Sequence, residues 1–468
     1  MAKIETIVFL SLLLDLFAFT IPLPLFPRLI EWYTQREITS DPNGFLPRTL
    51  AFVSSVRSLL YQSSLHSTKW DIVLLGGIMG SVFSLLQFLV SPKIGSLSDK
   101  YGRKRILLLT MVGNILSAAV WLQSTTFASY MLSRVIGGLS EGNVQLAIAI
   151  LSDVTTPETR AKALAHVGIA FAICFCIGPP IGAYFSTRPL PASANVFQTE
   201  LNIYAVPALL TLVLLVAETL FLAVALPETR GKGKGKLAQV DAKKASGKPT
   251  KPILKRSVEQ RISLLKTLRF VHFLFLGAFS GVEFTLTFLT FDLFDWNNKQ
   301  NGMLIGSIGI MSALLQGGYV RRSMTKTGEG NMARRGVLSC ATGLVLLALV
   351  PMYVESNVIL ARRILQLAAA CMAFTSATVV NALTAFASLQ CDETEIDPDT
   401  GKTSVEHPEL AKGKALGEFR SSGQLGRAIG PLLACAAYWT VGPSSTYSIA
   451  AGAMFFLSIY MKRTVVGK

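Results

Sequence analysis

Gly95-Ser96-Leu97-Ser98-Asp99-Lys100-Tyr101-Gly102-Arg103-Lys104-Arg105 joins two long apolar runs, 71–92 and 106–125, by a short loop dense in positive charge. Each run is close to the roughly 20 residues a helix needs to cross about 30 Å of hydrocarbon. Apolar stretches of this length recur outward in both directions, near 4–26, 128–150, 162–185, 202–226, 267–290, 301–320, 334–354, 357–388, 413–439 and 444–461. With the first pair they make twelve. The composition agrees: 468 residues, 51% hydrophobic and only 15% charged, with a mean hydropathy of +0.48, are too apolar for a water-soluble domain. The expected fold is an all-α membrane protein of twelve transmembrane helices.

Basic residues orient the chain. Lys93, Lys100, Arg103, Lys104 and Arg105 in the first loop, the basic 227–266 segment, and Arg321, Arg322, Lys326, Arg334 and Arg335 near 319–335 all fall on the side of the two termini. The positive-inside rule makes that side cytosolic. The first apolar run follows Met1-Ala2-Lys3 without a small-residue cleavage site, so it is expected to stay as the first span. The net charge of +16 sits in juxtamembrane loops, which argues against a nucleic-acid partner. Of six cysteines, Cys391 falls in a cytosolic loop and five fall inside apolar runs, so no disulfide framework is expected. No nucleophile–base pair, metal-ligand spacing or phosphate-binding loop stands out, so neither an enzyme nor a metal or other cofactor is expected.

A drop in apolar content at 227–266 divides the spans six and six: a bundle over 1–226, a cytosolic basic linker over 227–266 with a short surface helix at 253–266, and a second bundle over 267–468. The halves repeat. Arg160-Ala161-Lys162-Ala163-Leu164-Ala165 matches Lys412-Gly413-Lys414-Ala415-Leu416-Gly417, and Gly178-Pro179 and Gly430-Pro431 follow at equal distances. Such a repeat marks halves related by an axis along the membrane normal. The counterpart of the opening loop, Gly318-Tyr319-Val320-Arg321-Arg322, has lost its aspartate. Leu46 to Leu60 is read as an amphipathic helix on the outer membrane surface, with a lid as the alternative. The acidic 391–411 loop is read as solvated, with pairing to the basic linker as the alternative.

Charges inside spans are costly and need a partner, water or a function. Asp15 lies about ten residues, at about 1.5 Å each, from the cytosolic start of the first span, near mid-membrane. Pro22, Pro24 and Pro27 loosen the helix beyond it. Arg134, Gly138, Glu141 and Gln145 are spaced to form one stripe on the fourth span. Glu283 in the seventh span is also near mid-depth, and Glu218 in the sixth lies nearer the cytosol. These acids against one arginine predict a net acidic cavity. A cation and a proton compete for one carboxylate, which is a physical basis for exchange; Asp15 is the first choice and Glu283 the second. Phe19, Gln145 and Asn381 are candidate contacts for an organic ligand, with plain packing as the alternative. Gly178-Pro179-Pro180-Ile181-Gly182 permits close helix approach and a bend.

The opening loop's Gly-x-Leu-x-Asp-x-x-Gly-Arg-Lys pattern resembles the loop after the second span of the major facilitator superfamily. Arg134 with Gly138 resembles that family's second motif, tied in proton antiporters to coupling, and Gly178 to Gly182 resembles its antiporter motif, with Cys174 where a glycine is usual. With Pro227-Glu228-Thr229, these features are similar to the drug:proton antiporter branch, nearest its tetracycline-efflux-like members; the long 30–70, 227–266 and 391–411 segments suggest a eukaryotic relative. The resemblance implies two six-helix bundles working by alternating access, a small organic ion as cargo, proton exchange, lipid surroundings and a monomer in the plasma membrane or an organelle. It implies a conformational latch of Gly95, Leu97, Asp99, Gly102, Arg103, Lys104 and Asp153, with Asp99 at the start of the eleventh helix and Asp153 on Arg103. Gly430 and Pro431 repeat the antiporter motif. A pH-independent facilitative or lipid carrier, and a receptor or scaffold, are the competing readings.

Overall fold

The computed structural model describes residues 3–60, 67–188, 200–230, 257–296, 298–392 and 407–466. Regular structure among them is helical, with no strand: α1 (Ile4–Thr20), α2 (Phe26–Ser40), α3 (Phe45–Leu60), α4 (Ser67–Tyr101), α5 (Arg103–Leu122), α6 (Phe127–Ser140), α7 (Asn143–Val154), α8 (Pro157–Ser186), α9 (Ala205–Ala225), α10 (Val258–Phe294), α11 (Asn298–Leu315), α12 (Arg321–Thr327), α13 (Glu329–Val354), α14 (Val358–Gln390), α15 (Lys412–Val441) and α16 (Pro443–Met461). Among the described residues, 9 helical stretches are long and apolar enough to cross a membrane, α6 and α7 counting as one. α1, α15 and α16 stand at the first, eleventh and twelfth places of the expected order. α1 packs on α8 and α9, α15 on α4 and α10, and α16 on α13. Together these make the twelve-helix, two-bundle fold. Leu109, Val224, Leu314 and Phe456 stay exposed, as side chains covered by hydrocarbon would.

α1 stops at Thr20, after 17 residues. Pro22 and Pro24 remove the donors a continuing helix needs, so a 3₁₀ turn at Leu23–Leu25 intervenes and α2 restarts with Pro27 in its first turn, where a missing N–H costs nothing. α2 and α3 close one end of the first bundle. Leu46 and Val53 of α3 point inward and Phe52 and Leu59 outward, so this segment is a helix with one buried face. Tyr33 Oη accepts from Asn202 Nδ2 at 2.7 Å and meets Ser124 Oγ at 3.0 Å, tying α2 to the ends of α5 and α9.

Two expectations are corrected by helix boundaries. The short helix expected at 253–266 and the span start at 267 are replaced by a single 37-residue α10 from Val258, begun by a Ser257/Gln260 capping box. Arg261 anchors the extension by donating to Gln390 O at 2.8 Å. The fourth span is two helices, because Glu141 is extended (φ −71, ψ 98) and Gly142 is the N-cap of α7. The acidic loop over 393–406 and the basic stretch 231–256 lie outside the described residues.

Candidate functional site

Buried polar groups converge in the first bundle. Asp15, only 5% exposed, accepts from Asn143 Nδ2 at 2.6 Å. Asn143 sits there because the break at Glu141–Gly142 turns the first residue of α7 inward, and its own Oδ1 accepts from Thr110 at 3.3 Å. Asp15, Phe19, Asn114, Trp121, Arg134 and Glu141 line a cavity of about 70 Å³; one water needs roughly 10–15 Å³, so several fit. Arg134 stacks its guanidinium 4.5 Å above the ring of Phe83. Glu218 lies behind the cavity, 1% exposed, and accepts from Ser11 Oγ at 2.9 Å.

The second bundle answers with cations. Arg420 on α15 stands within electrostatic range of both Asp15 and Glu141, so both Arg420 and Arg134 act on Glu141. Arg427, two turns further along α15, faces Glu283 of α10. Glu283 and Arg427 both keep accessible surface. His272 bonds through Nδ1 to Phe419 O at 3.0 Å and stacks on the Phe419 ring at 4.2 Å. The net acidic cavity expected from one arginine is corrected: Arg420 and Arg427 join Arg134, so cations and acids are near balance.

Other sequence candidates are placed elsewhere. Gln145 does not extend the Arg134–Glu141 stripe, since the break rotates α7 and Gln145 Nε2 donates to Ser91 O of α4 at 2.8 Å. Asn381 donates to Ala377 O at 3.2 Å and borders Gln316 at Gly168, where α8 meets the second bundle, away from Asp15. Gly178 and Gly182 of α8 face Thr20 and Ile21 at the end of α1. The helix runs unbroken through Pro179 and Pro180, so this motif marks a close contact within one continuous helix. Gly430, beside Pro431, meets Gly277 O of α10, so eleventh and seventh helices repeat the approach of fifth and first.

At the basic face the two bundles are joined by charge. Asp99 accepts from the backbone N–H groups of Gly413 at 2.9 Å and Lys414 at 2.7 Å, the start of α15, where the helix dipole favours an anion. Arg103 pairs with Asp99 at 2.7 Å and Asp153 at 2.9 Å, and also donates to Ser98 Oγ. Gly95 and Gly413 face each other so closely that a Cβ on either would strike the other's backbone. Leu97 is exposed beside them. Gly102 takes φ 103 before α5, and Lys104 donates to Ala223 O at 2.7 Å. Glu228 accepts from the N–H groups of Arg103 at 2.9 Å and Lys104 at 3.2 Å, capping α5. Partial burial pushes the Glu228 carboxyl up, but the donors Arg230, Arg103, Lys104 and Thr229 outweigh it and hold it below its usual value. A second cross-bundle cluster lies alongside: Arg160 pairs with Asp392 at 2.6 Å, and Lys412 approaches Asp392 at 3.4 Å and Asp153 at 3.7 Å.

Residues 8–396 match the profile described as Major Facilitator Superfamily. The chain belongs to the major facilitator superfamily. It is 33% identical, over 99% of its length and 93% of the other, to "Major facilitator superfamily domain-containing protein 10" of Bos taurus, and 23% identical to "Tetracycline resistance protein, class B" of Escherichia coli, over 58% of this chain and 63% of that protein. The crystal structure of the human organic anion transporter MFSD10 (TETRAN) superposes with a TM-score of 0.77 at 31% identity, covering 98% of each chain. The proton:xylose symporter XylE, at 15% identity and a TM-score of 0.66 over 98% of this chain and 94% of its own, shares the fold.

As a member of this superfamily the protein is a multi-pass membrane transporter and not an enzyme. Sequence reasoning missed Asn143, Arg420, Arg427, Arg160 and Asp392. The cost of intramembrane charge was the available signal for Arg420 and Arg427, which lie inside the 413–439 run. Nothing in the sequence marks Asn143, whose role depends on the break before it.

Proposed function

We propose that this transporter moves small organic ions by alternating access, with protons coupled through Asp15 and Glu141, and that its cargo is anionic. The observation that carries this is Arg420 of the second bundle within electrostatic range of Asp15 and Glu141 of the first. Ionised, those carboxylates offset the charge of the guanidinium; protonated, they leave that charge to an incoming carboxylate or sulfonate. Anion and proton then travel together. Exchange with protons, the sequence expectation, belongs to a cation that competes for Asp15, whereas Arg420 and Arg427 favour an anion. The described relative named as an organic anion transporter is consistent with this choice. The Asp99, Arg103 and Asp153 cluster latches the basic face, which the lysine and arginine bias makes cytosolic, and cargo or proton binding favours the state in which it is broken. The protein works as a monomer within lipid.

The test is purified protein in liposomes loaded with a pH dye, given a panel of organic anions and cations. Lumenal acidification evoked by anions, and lost in Asp15→Asn and Arg420→Gln, is expected. Lumenal alkalinisation by an entering cation would instead establish exchange. Cargo flux indifferent to pH would replace this reading by facilitated or lipid transport.

A further inference from the structure

We infer that Glu218 is a proton-binding site of the transport cycle, lying outside the cargo cavity and exchanging its proton with Asp15. The inference rests on the proton coupling proposed above, but its first observation is independent of any cargo. Glu218 is 1% exposed. Its Oε1 has a single donor, Ser11 Oγ at 2.9 Å, and its Oε2 has no hydrogen-bond partner. A carboxylate offers about four acceptor positions; here one is filled. The charged groups within electrostatic range of it are Asp15 and Glu141, both acids. No cation is paired with it among the described residues.

The elements around Glu218 supply nothing that would hold a negative charge. α1 brings Ser11 and Asp15, the break between α6 and α7 brings Glu141, and α8 brings Cys174, which faces Asp15. α5 brings Lys104, whose ammonium is already engaged at Ala223 O. An unpaired buried ion costs more than a neutral carboxyl with one unmet bond. The neutral acid therefore wins.

Placement supplies the route. Thr211, Leu215 and Glu218 recur at helical spacing on α9; the first two line the cavity with Asp15, and Glu218 comes one turn beyond. Ser11 and Asp15 are likewise one turn apart on α1 and share a face. The Ser11 hydroxyl donates to Glu218 Oε1; turned to accept from the neutral acid, it stands as the first relay for a proton on its way to Asp15. Starting from neutral Glu218 and ionised Asp15, the step breaks the O–H bond on Glu218 and makes one on Asp15; Glu218 carries the charge only until it is reprotonated, and the total charge is unchanged.

Infrared difference spectroscopy on the full chain in lipid bilayers reads the proton directly. At neutral pH, wild type is expected to show a protonated-carboxyl stretch that moves in D₂O, is missing in Glu218→Gln, and returns at a shifted position in Glu218→Asp. A spectrum in which Glu218→Gln removes no such band overturns the inference, whatever the cargo proves to be. With fluorescein as the anionic probe, Glu218→Gln is expected to lose about tenfold of the uptake driven by a pH gradient while keeping exchange at equal pH on both sides. Retention of gradient-driven uptake would also overturn it. If wild type moved no organic anion, the proposed cargo would fall and the infrared band would still decide the state of Glu218.

Discussion

Arg420 concentrates the chemistry of the site because it is a permanent cation that two titratable groups share. A hydrogen bond to a charged group contributes about 1.5–3 kcal/mol, and 1.4 kcal/mol is tenfold in affinity. Arg420→Gln is therefore expected to raise the KM for an organic anion about 10- to 100-fold in proteoliposome uptake, with Arg420→Lys recovering part of it because charge survives and the planar fork does not. Glu228 gives a prediction with a defined sign. Its folded-state pKa lies below its usual 4.5, so its stabilising contribution is complete above that value and is lost as pH falls through the folded value. Wild-type melting temperature should drop over this acid window, and Glu228→Gln should start lower and show less of the drop. Asp15, Glu141 and Arg134 were legible as residues, since charge inside an apolar run needs an explanation. Their partners were not, because Asn143 and Arg420 reach them only across the fold.

Among elements, α8 shows what a motif read from sequence becomes in three dimensions. Gly178 and Gly182 let α8 lie directly on Thr20 and Ile21, where a Cβ would meet side chain or backbone. Gly182→Val is expected to destabilise by about 1–3 kcal/mol through overpacking, seen as a lower melting temperature in detergent, and to slow uptake by holding α8 away from α1. The fourth span makes the opposite point. A helical stripe is a sound reading of Arg134, Gly138, Glu141 and Gln145 while the helix is continuous, yet Glu141 leaves the helical region, and each residue beyond it turns to a new face. Periodicity reports apolar content well and reports a local break poorly, since a span with a kink is as hydrophobic as a straight one.

For the whole molecule, two ionic clusters join the bundles at the basic face, Asp99–Arg103–Asp153 at α15 and Arg160–Asp392 with Lys412. The acids that end the fourth and tenth spans each meet the basic start of a helix in the other bundle, Asp153 at Lys412 and Asp392 at Arg160. Asp99→Asn and Arg160→Ala are each expected to open this face, measured as faster alkylation of a reporter cysteine on it. Truncating one partner of a buried pair costs about 3–5 kcal/mol. The two effects should add within about 0.5 kcal/mol if the clusters act separately; a larger departure would make them one latch shared through Asp153 and Lys412. The amino-acid sequence determined the membrane fold by itself, because runs of about 20 apolar residues and the basic loops between them depend only on local composition. It likewise exposed the internal repeat and the acids that lipid would not tolerate unexplained. Only the tertiary structure decided which cation faces which acid, that Glu218 lies behind the cavity, and that Arg160 reaches Asp392 across 232 positions of chain. Such pairings are set by how the two bundles pack, which no local pattern encodes.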